Sequence, residues 1–158
     1  MATEEWGLYS EELMAQAAQG APYGFYTPAE YLYELQGQLL RAARVRIDVG
    51  LHTGRMTFDE ALDYFTEKVN FYPNACAKRS TDADARAVCD GAMRAIYRYS
   101  KWPTQAITYN LGKAAIVQLR EEFRAKKGSA YSARDFHERF MKQGTIPPGF
   151  FREAILAT

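Results

Sequence analysis

The sequence predicts an all-α fold, an irregular bundle of six or seven helices around a long central one. Apolar residues recur at i, i+3, i+4 and i+7 in segment after segment. Thr, Ser or Asp opens most of these segments, and Gly or Pro closes them. Alternating runs that would make strands are absent, as are internal repeats and low-complexity tracts. At 158 residues the chain fits a single all-α domain, 1–158, able to bury about two-thirds of its unfolded surface.

The first segment, Thr3 to about Gln19, has Thr3 as N-cap and Glu4 and Glu5 in its first turn, where they complement the helix dipole. Trp6, Tyr9, Leu13 and Ala17 follow at helical spacing, and Gly20-Ala21-Pro22-Tyr23-Gly24 breaks the helix. Thr27-Pro28-Ala29-Glu30 reads as a capping box that starts the central helix, which runs to about His52, with Gly54 at the C-terminal cap. Thr57-Phe58-Asp59-Glu60 is a second capping box, and its helix stops before Pro73. Ser80-Thr81-Asp82 opens another helix, which ends ahead of Pro103, and a further helix starts at that proline and frays in Lys126-Lys127-Gly128. Ser132 caps a shorter helix ending at Gly144, and Pro147-Pro148 introduces a last short one.

The central helix carries apolar residues on nearly every side, which predicts an element enclosed by its neighbours. Arg41, Arg44, Asp48 and His52 interrupt them. At about 100° per residue these four fall within an arc of roughly 80°, one polar stripe on an apolar helix. Such a stripe serves either as an ion-pair ladder that fixes register or as the wall of a polar cavity.

Composition narrows the function classes. Hydrophobic residues are 47% and charged residues 25% of the chain, as in an ordinary globular protein, whereas the aromatic share of 14% is high. Twenty basic against nineteen acidic side chains leave a net charge of +1, so no long-range field attracts a polyanion. Nucleic acid is not an expected partner, and no apolar run is long enough to span a membrane. The N-terminus lacks the basic and apolar regions of a signal peptide, so the expected location is cytoplasmic. Cys76 and Cys89 stand outside any C-x-x-C pair and are expected to be free thiols, a disulfide requiring the intervening loop to fold back.

Four blocks carry a resemblance. Glu4-Glu5-Trp6-Gly7-Leu8-Tyr9-Ser10-Glu11-Glu12-Leu13 is similar to an E-G-W-A-L-Y-A-E-x-L segment, and Arg41-Ala42-Ala43-Arg44 through Asp48-Val49-Gly50-Leu51-His52 to R-A-A-R-L-V-V-D-T-G-I-H. Arg98 to Gly112 is similar to R-Y-x-x-x-P-G-Q-A-L-S-Y-K-I-G, and Phe136-His137 with Gly144-Thr145-Ile146-Pro147 to F-H-D and G-x-V-P. In this order the blocks resemble the bacterial family called domain of unknown function 885, of which they match the C-terminal part. Its members resemble zinc metallopeptidases, in which an upstream H-E-x-x-P-G-H-type segment supplies histidine ligands and a general base.

The resemblance implies that Glu4 is a metal ligand, in a site where zinc would polarise a carbonyl and acidify water. It implies that His52 is a transition-state hydrogen-bond donor oriented by Asp48, and that Arg44, Arg98 and Tyr109 line the cavity. The upstream histidine segment is missing, and His52 and His137 are the only histidines, so zinc is possible but its site is incomplete in this chain. Glu5, Thr104 and Asn110 replace the family's glycine, glycine and lysine, and Ala95 stands where an acidic residue often precedes R-Y.

Three functions are compatible with these residues. The chain is a C-terminal module or split subunit of a metallopeptidase-like hydrolase, acting on a peptide or small-molecule substrate with a histidine-bearing partner. Alternatively it is a compact enzyme using His52 and Asp48 for metal-free acid/base chemistry. The third reading is a non-catalytic helical interaction module, self-associating as a homo-oligomer or binding a partner.

Overall fold

The structure, a computed structural model, describes residues 2–16 and 21–157. Among the described residues there are eight α-helices and no sheet, so the all-α class predicted above holds. The chain forms two compact units, one from Met1–Thr27 with Thr108–Thr158, the other from Pro28–Ile107.

In the continuous unit, α2 (Pro28–His52), α3 (Phe58–Lys68), α4 (Ala75–Lys78) and α5 (Ala83–Lys101) pack on one another, followed by a 3-10 turn at Gln105–Ile107. Helix α2 starts at Pro28, whose fixed φ suits the first helical position. It ends where expected, with Gly54 at φ 69°, the left-handed cap that glycine adopts freely. The capping box that opens α3 is formed: the Thr57 side chain accepts from the Glu60 backbone N–H, and the Glu60 carboxylate accepts from the Thr57 N–H at 2.7 Å. Asp82 caps α5 by accepting from the Asp84 and Ala85 N–H groups. Ala43, Ile47, Leu62, Phe65, Ile96 and Tyr99 supply much of the core.

Three expectations fail in this unit. Cys76 and Cys89 are joined by a disulfide: α4 turns the chain back so that their Cα atoms lie 4.9 Å apart, and no free cysteine remains. Helix α2 is not enclosed on all sides, because Leu32, Leu35, Leu39 and Val49 face solvent. No α-helix starts at Pro103. The chain turns there through Thr104 at φ 71° and the 3-10 turn, and α6 begins at Thr108.

The other unit joins α1 (Ala2–Ala15) to α6 (Thr108–Lys127), α7 (Ala133–Met141) and α8 (Arg152–Leu156). Its core is aromatic, built on Tyr9, Phe123, Phe136, Phe140 and Phe151 with Ile116, Leu119 and Ile155. Such rings each bury a large apolar area and pack edge to face, as Phe140 and Phe151 do at 5.2 Å between centroids. Ser132 caps α7 as predicted, accepting from the Asp135 N–H. Thr3 is not an N-cap, since α1 already includes Ala2. The helix ends at Ala15, and the expected Ala17, Gln19 and Gly20 positions lie outside the described residues.

Candidate functional site

Helix α2 sets the polar stripe in the continuous unit. Arg44 is 7% exposed and Asp48 2%, so the stripe is buried at its middle and reaches the surface at His52. One Asp48 oxygen, Oδ1, accepts the Thr104 backbone N–H at 3.2 Å, which ties α2 to the turn after α5. The Arg44 guanidinium lies over the Tyr99 ring at 5.2 Å and that of exposed Arg98 over the same ring at 5.7 Å, so two predicted arginines meet at one aromatic ring.

His52 uses its ring nitrogens differently from the expectation. Nδ1 donates to the Asp48 backbone carbonyl at 2.8 Å, and the Asp48 carboxylate lies farther off at 3.6 Å. Nε2 faces the Ser100 carbonyl at 3.4 Å. The side chain therefore holds to a carbonyl of its own helix, one turn back, and approaches the last turn of α5.

In the other unit, Glu4 and Tyr109 meet although 105 positions separate them. The Tyr109 hydroxyl donates to Glu4 Oε1 at 2.7 Å, on an exposed part of the α1–α6 contact. The neighbouring Glu5 turns inward and is 4% exposed. Its side chain lies so close to Gly112 that a Cβ built there would stand 1.5 Å from Glu5 Cγ. Glu5 Oε2 is buried and makes no hydrogen bond among the described residues, and burial pushes the carboxyl above its ordinary range.

His137 joins a network that spacing alone does not show. Arg120 Nη1 donates to the Tyr9 hydroxyl at 3.4 Å, and that hydroxyl lies 2.9 Å from His137 Nε2. Burial, with the Arg120 charge beside it, holds His137 below its usual range, so Nε2 serves as acceptor for the Tyr9 hydrogen. Tyr9 and Arg120 occupy ordinary helical core and surface positions, and only the fold brings them to His137.

The predicted site residues thus fall into sets within each unit: Arg44, Asp48, His52 and Arg98 in one, Glu4 and Tyr109 in the other. Among the described residues no group of three or more His, Cys, Asp or Glu side chains could hold a metal ion.

The helical architecture defines an all-α protein. The chain belongs to the family described as "Bacterial protein of unknown function (DUF885)", which matches residues 1–155. It is similar to a solved structure described as "the putative lipoprotein from Colwellia psychrerythraea", with 29% identity and a TM-score of 0.73. The match covers 98% of this chain and 23% of that one, so the chain spans about a quarter of the relative's length. No curated protein matches it.

Proposed function

We propose that the chain is the C-terminal-type module of a metallopeptidase-like hydrolase of this family, contributing one metal ligand and cavity residues to a site completed by a histidine-bearing partner. The observation that carries this reading is the Tyr109–Glu4 hydrogen bond. Two residues singled out from separate blocks meet at the surface, and the hydroxyl holds one carboxylate oxygen while fixing the direction of the other. A partner orienting a ligating carboxylate in this way typically changes metal affinity by about 10–100-fold. Arg44, Arg98 and Asp48 would shape the pocket in their unit, with Tyr99 and the Thr104 amide holding them in place.

Elemental analysis tests it. The dialysed chain alone is expected to carry well under one zinc, and its complex with the histidine-bearing partner one zinc, lost in Glu4→Ala and weakened in Tyr109→Phe. Full zinc occupancy of the isolated chain that survives Glu4→Ala would overturn the proposal.

Metal-free acid/base chemistry is a second reading, supported by the approach of Asp48 to His52 Nδ1 at 3.6 Å. It expects His52→Ala to abolish turnover while leaving the helical circular dichroism unchanged. Where the protein resides is also a proposal. The Cys76–Cys89 bond supports an oxidising compartment in place of the cytoplasm expected from the N-terminus, in keeping with the description of the relative as a lipoprotein.

A further inference from the structure

The chain after Pro147 packs back onto α6, and the place where the two meet is hollow. On α6, Ala115, Gln118, Leu119 and Glu122 stand at i, i+3, i+4 and i+7, one stripe along the helix. Across from them are Pro148 and Gly149 of a 3-10 turn and Arg152 at the start of α8. The concavity they line measures about 180 Å³. Pockets for drug-sized ligands run from roughly 300 to 1,000 Å³, so this one suits a smaller molecule.

The core beneath fixes its walls. Phe151 and Ile155, before and after Arg152, are buried in the aromatic core of this unit, and Leu119 and Pro148 are buried as well. The hollow is therefore formed before a ligand arrives, which lowers the ordering cost of binding.

The lining joins an apolar floor, from Ala115, Leu119 and Pro148, to one charge of each sign. Glu122 Oε1 accepts from Gln118 Nε2 at 3.0 Å, and its Oε2 accepts from Arg152 Nε at 2.8 Å. Gln118 and Arg152 hold the Glu122 carboxyl below its ordinary range, so it is anionic at neutral pH. Each carboxylate oxygen has room for a second donor, and the Gln118 side-chain carbonyl is a further acceptor beside it. Arg152 uses Nε on Glu122, which leaves the Nη edge of its fork for another carboxylate.

A ligand with one charge is attracted by one of these groups and repelled by the other. The complementary molecule carries both charges close together on a short apolar body. A free α-amino acid does so, with ammonium and carboxylate on a single carbon, whereas a residue inside a peptide has neither charge. We propose that the hollow between α6 and α8 binds a free apolar α-amino acid, with Arg152 on its carboxylate, Glu122 and Gln118 on its ammonium, and Leu119 under its side chain. The site shares no residue with the sets described above and is independent of the hydrolase reading.

Nitrogen–proton correlation NMR on the isotope-labelled full chain tests this, with L-leucine as the probe at millimolar concentration. Saturable shifts are expected for amides within 115–122 and 148–152. Isocaproate lacks the ammonium and isoamylamine the carboxylate, and each is expected to bind about 10-fold or more weakly than leucine. A Cβ built on Gly149 meets nothing within 4 Å, so Gly149→Val adds bulk to the wall without a clash. That variant and Arg152→Gln are expected to lose the leucine shifts with helical circular dichroism unchanged. The two analogues carry the test by themselves if a variant disturbs α8. No saturable shift with leucine, an analogue that binds as tightly as leucine, or leucine binding undiminished in both variants would each overturn the proposal.

Discussion

Glu5 and Gly112 show how one residue can depend on another far along the chain. The Glu5 side chain fills the space where a Cβ at position 112 would stand, so Gly112→Ala forces Glu5 out of its place. Overpacking of this kind costs roughly 1–3 kcal/mol. Urea unfolding should show that loss for Gly112→Ala in the natural background and a much smaller one in Glu5→Gly, since the two positions share one volume. Thr104 gives the opposite case. It holds a β-branched side chain at φ 71° so that its amide can reach Asp48. Glycine adopts that backbone without steric cost, and Thr104→Gly should raise stability by about 0.5–1 kcal/mol, after allowing for glycine's greater freedom in the unfolded chain. A lower urea midpoint for that variant would contradict the assignment of strain.

At the scale of elements, α4 is a single turn that cannot hold itself and is tied to α5 by the Cys76–Cys89 bond. Its sequence separation is 13, and closing a loop of about this size stabilises a fold by about 3 kcal/mol in the chain-entropy account. Reductant should lower the melting temperature, and Cys89→Ser should match the reduced protein, with the loss of hydrogen-exchange protection greatest over Ala75–Lys78. Helices with a local start signal were legible in the sequence: Pro28, Thr57, Asp82 and Ser132 each mark an observed start or cap. Pro103 misled because proline suits a turn as well as a first helical position, and the left-handed Thr104 behind it has no sequence signature of its own. The disulfide was hidden for a related reason, since only the short helix α4 brings the two sulfurs together. In the candidate site, the stripe on α2 followed from periodicity, whereas the carbonyl contacts of His52 and the meeting of Glu4 with Tyr109 depend on packing between distant segments.

For the whole molecule, two buried groups in the unit built on α1 and α6 make stability depend on pH in opposite senses. The Glu5 carboxyl is raised by burial above its ordinary 4.5, so its share of stability is complete below that value and is lost as pH rises through the raised one. His137 is lowered by burial and by the Arg120 charge from an ordinary 6.5. Its share is present above 6.5 and is lost as pH falls through the lowered value, because the unfolded chain then binds a proton that the folded chain refuses. Melting temperature against pH should carry one loss that sets in as pH rises above 4.5 and another that sets in as pH falls below 6.5. Glu5→Gln should remove the first loss and His137→Phe the second, each leaving the other in place.

The unit that contains α1 is discontinuous, taking Met1–Thr27 from before the other unit and Thr108–Thr158 from after it. On a ribosome, therefore, α1 emerges well ahead of the helix it packs against. The intervening Pro28–Ile107 has all its own contacts within reach and can close first. At about 5–20 residues per second, α1 waits roughly several seconds with Leu8 and Tyr9, both buried at the end, open to water and to chaperones. The helix made early is among the last to find its place.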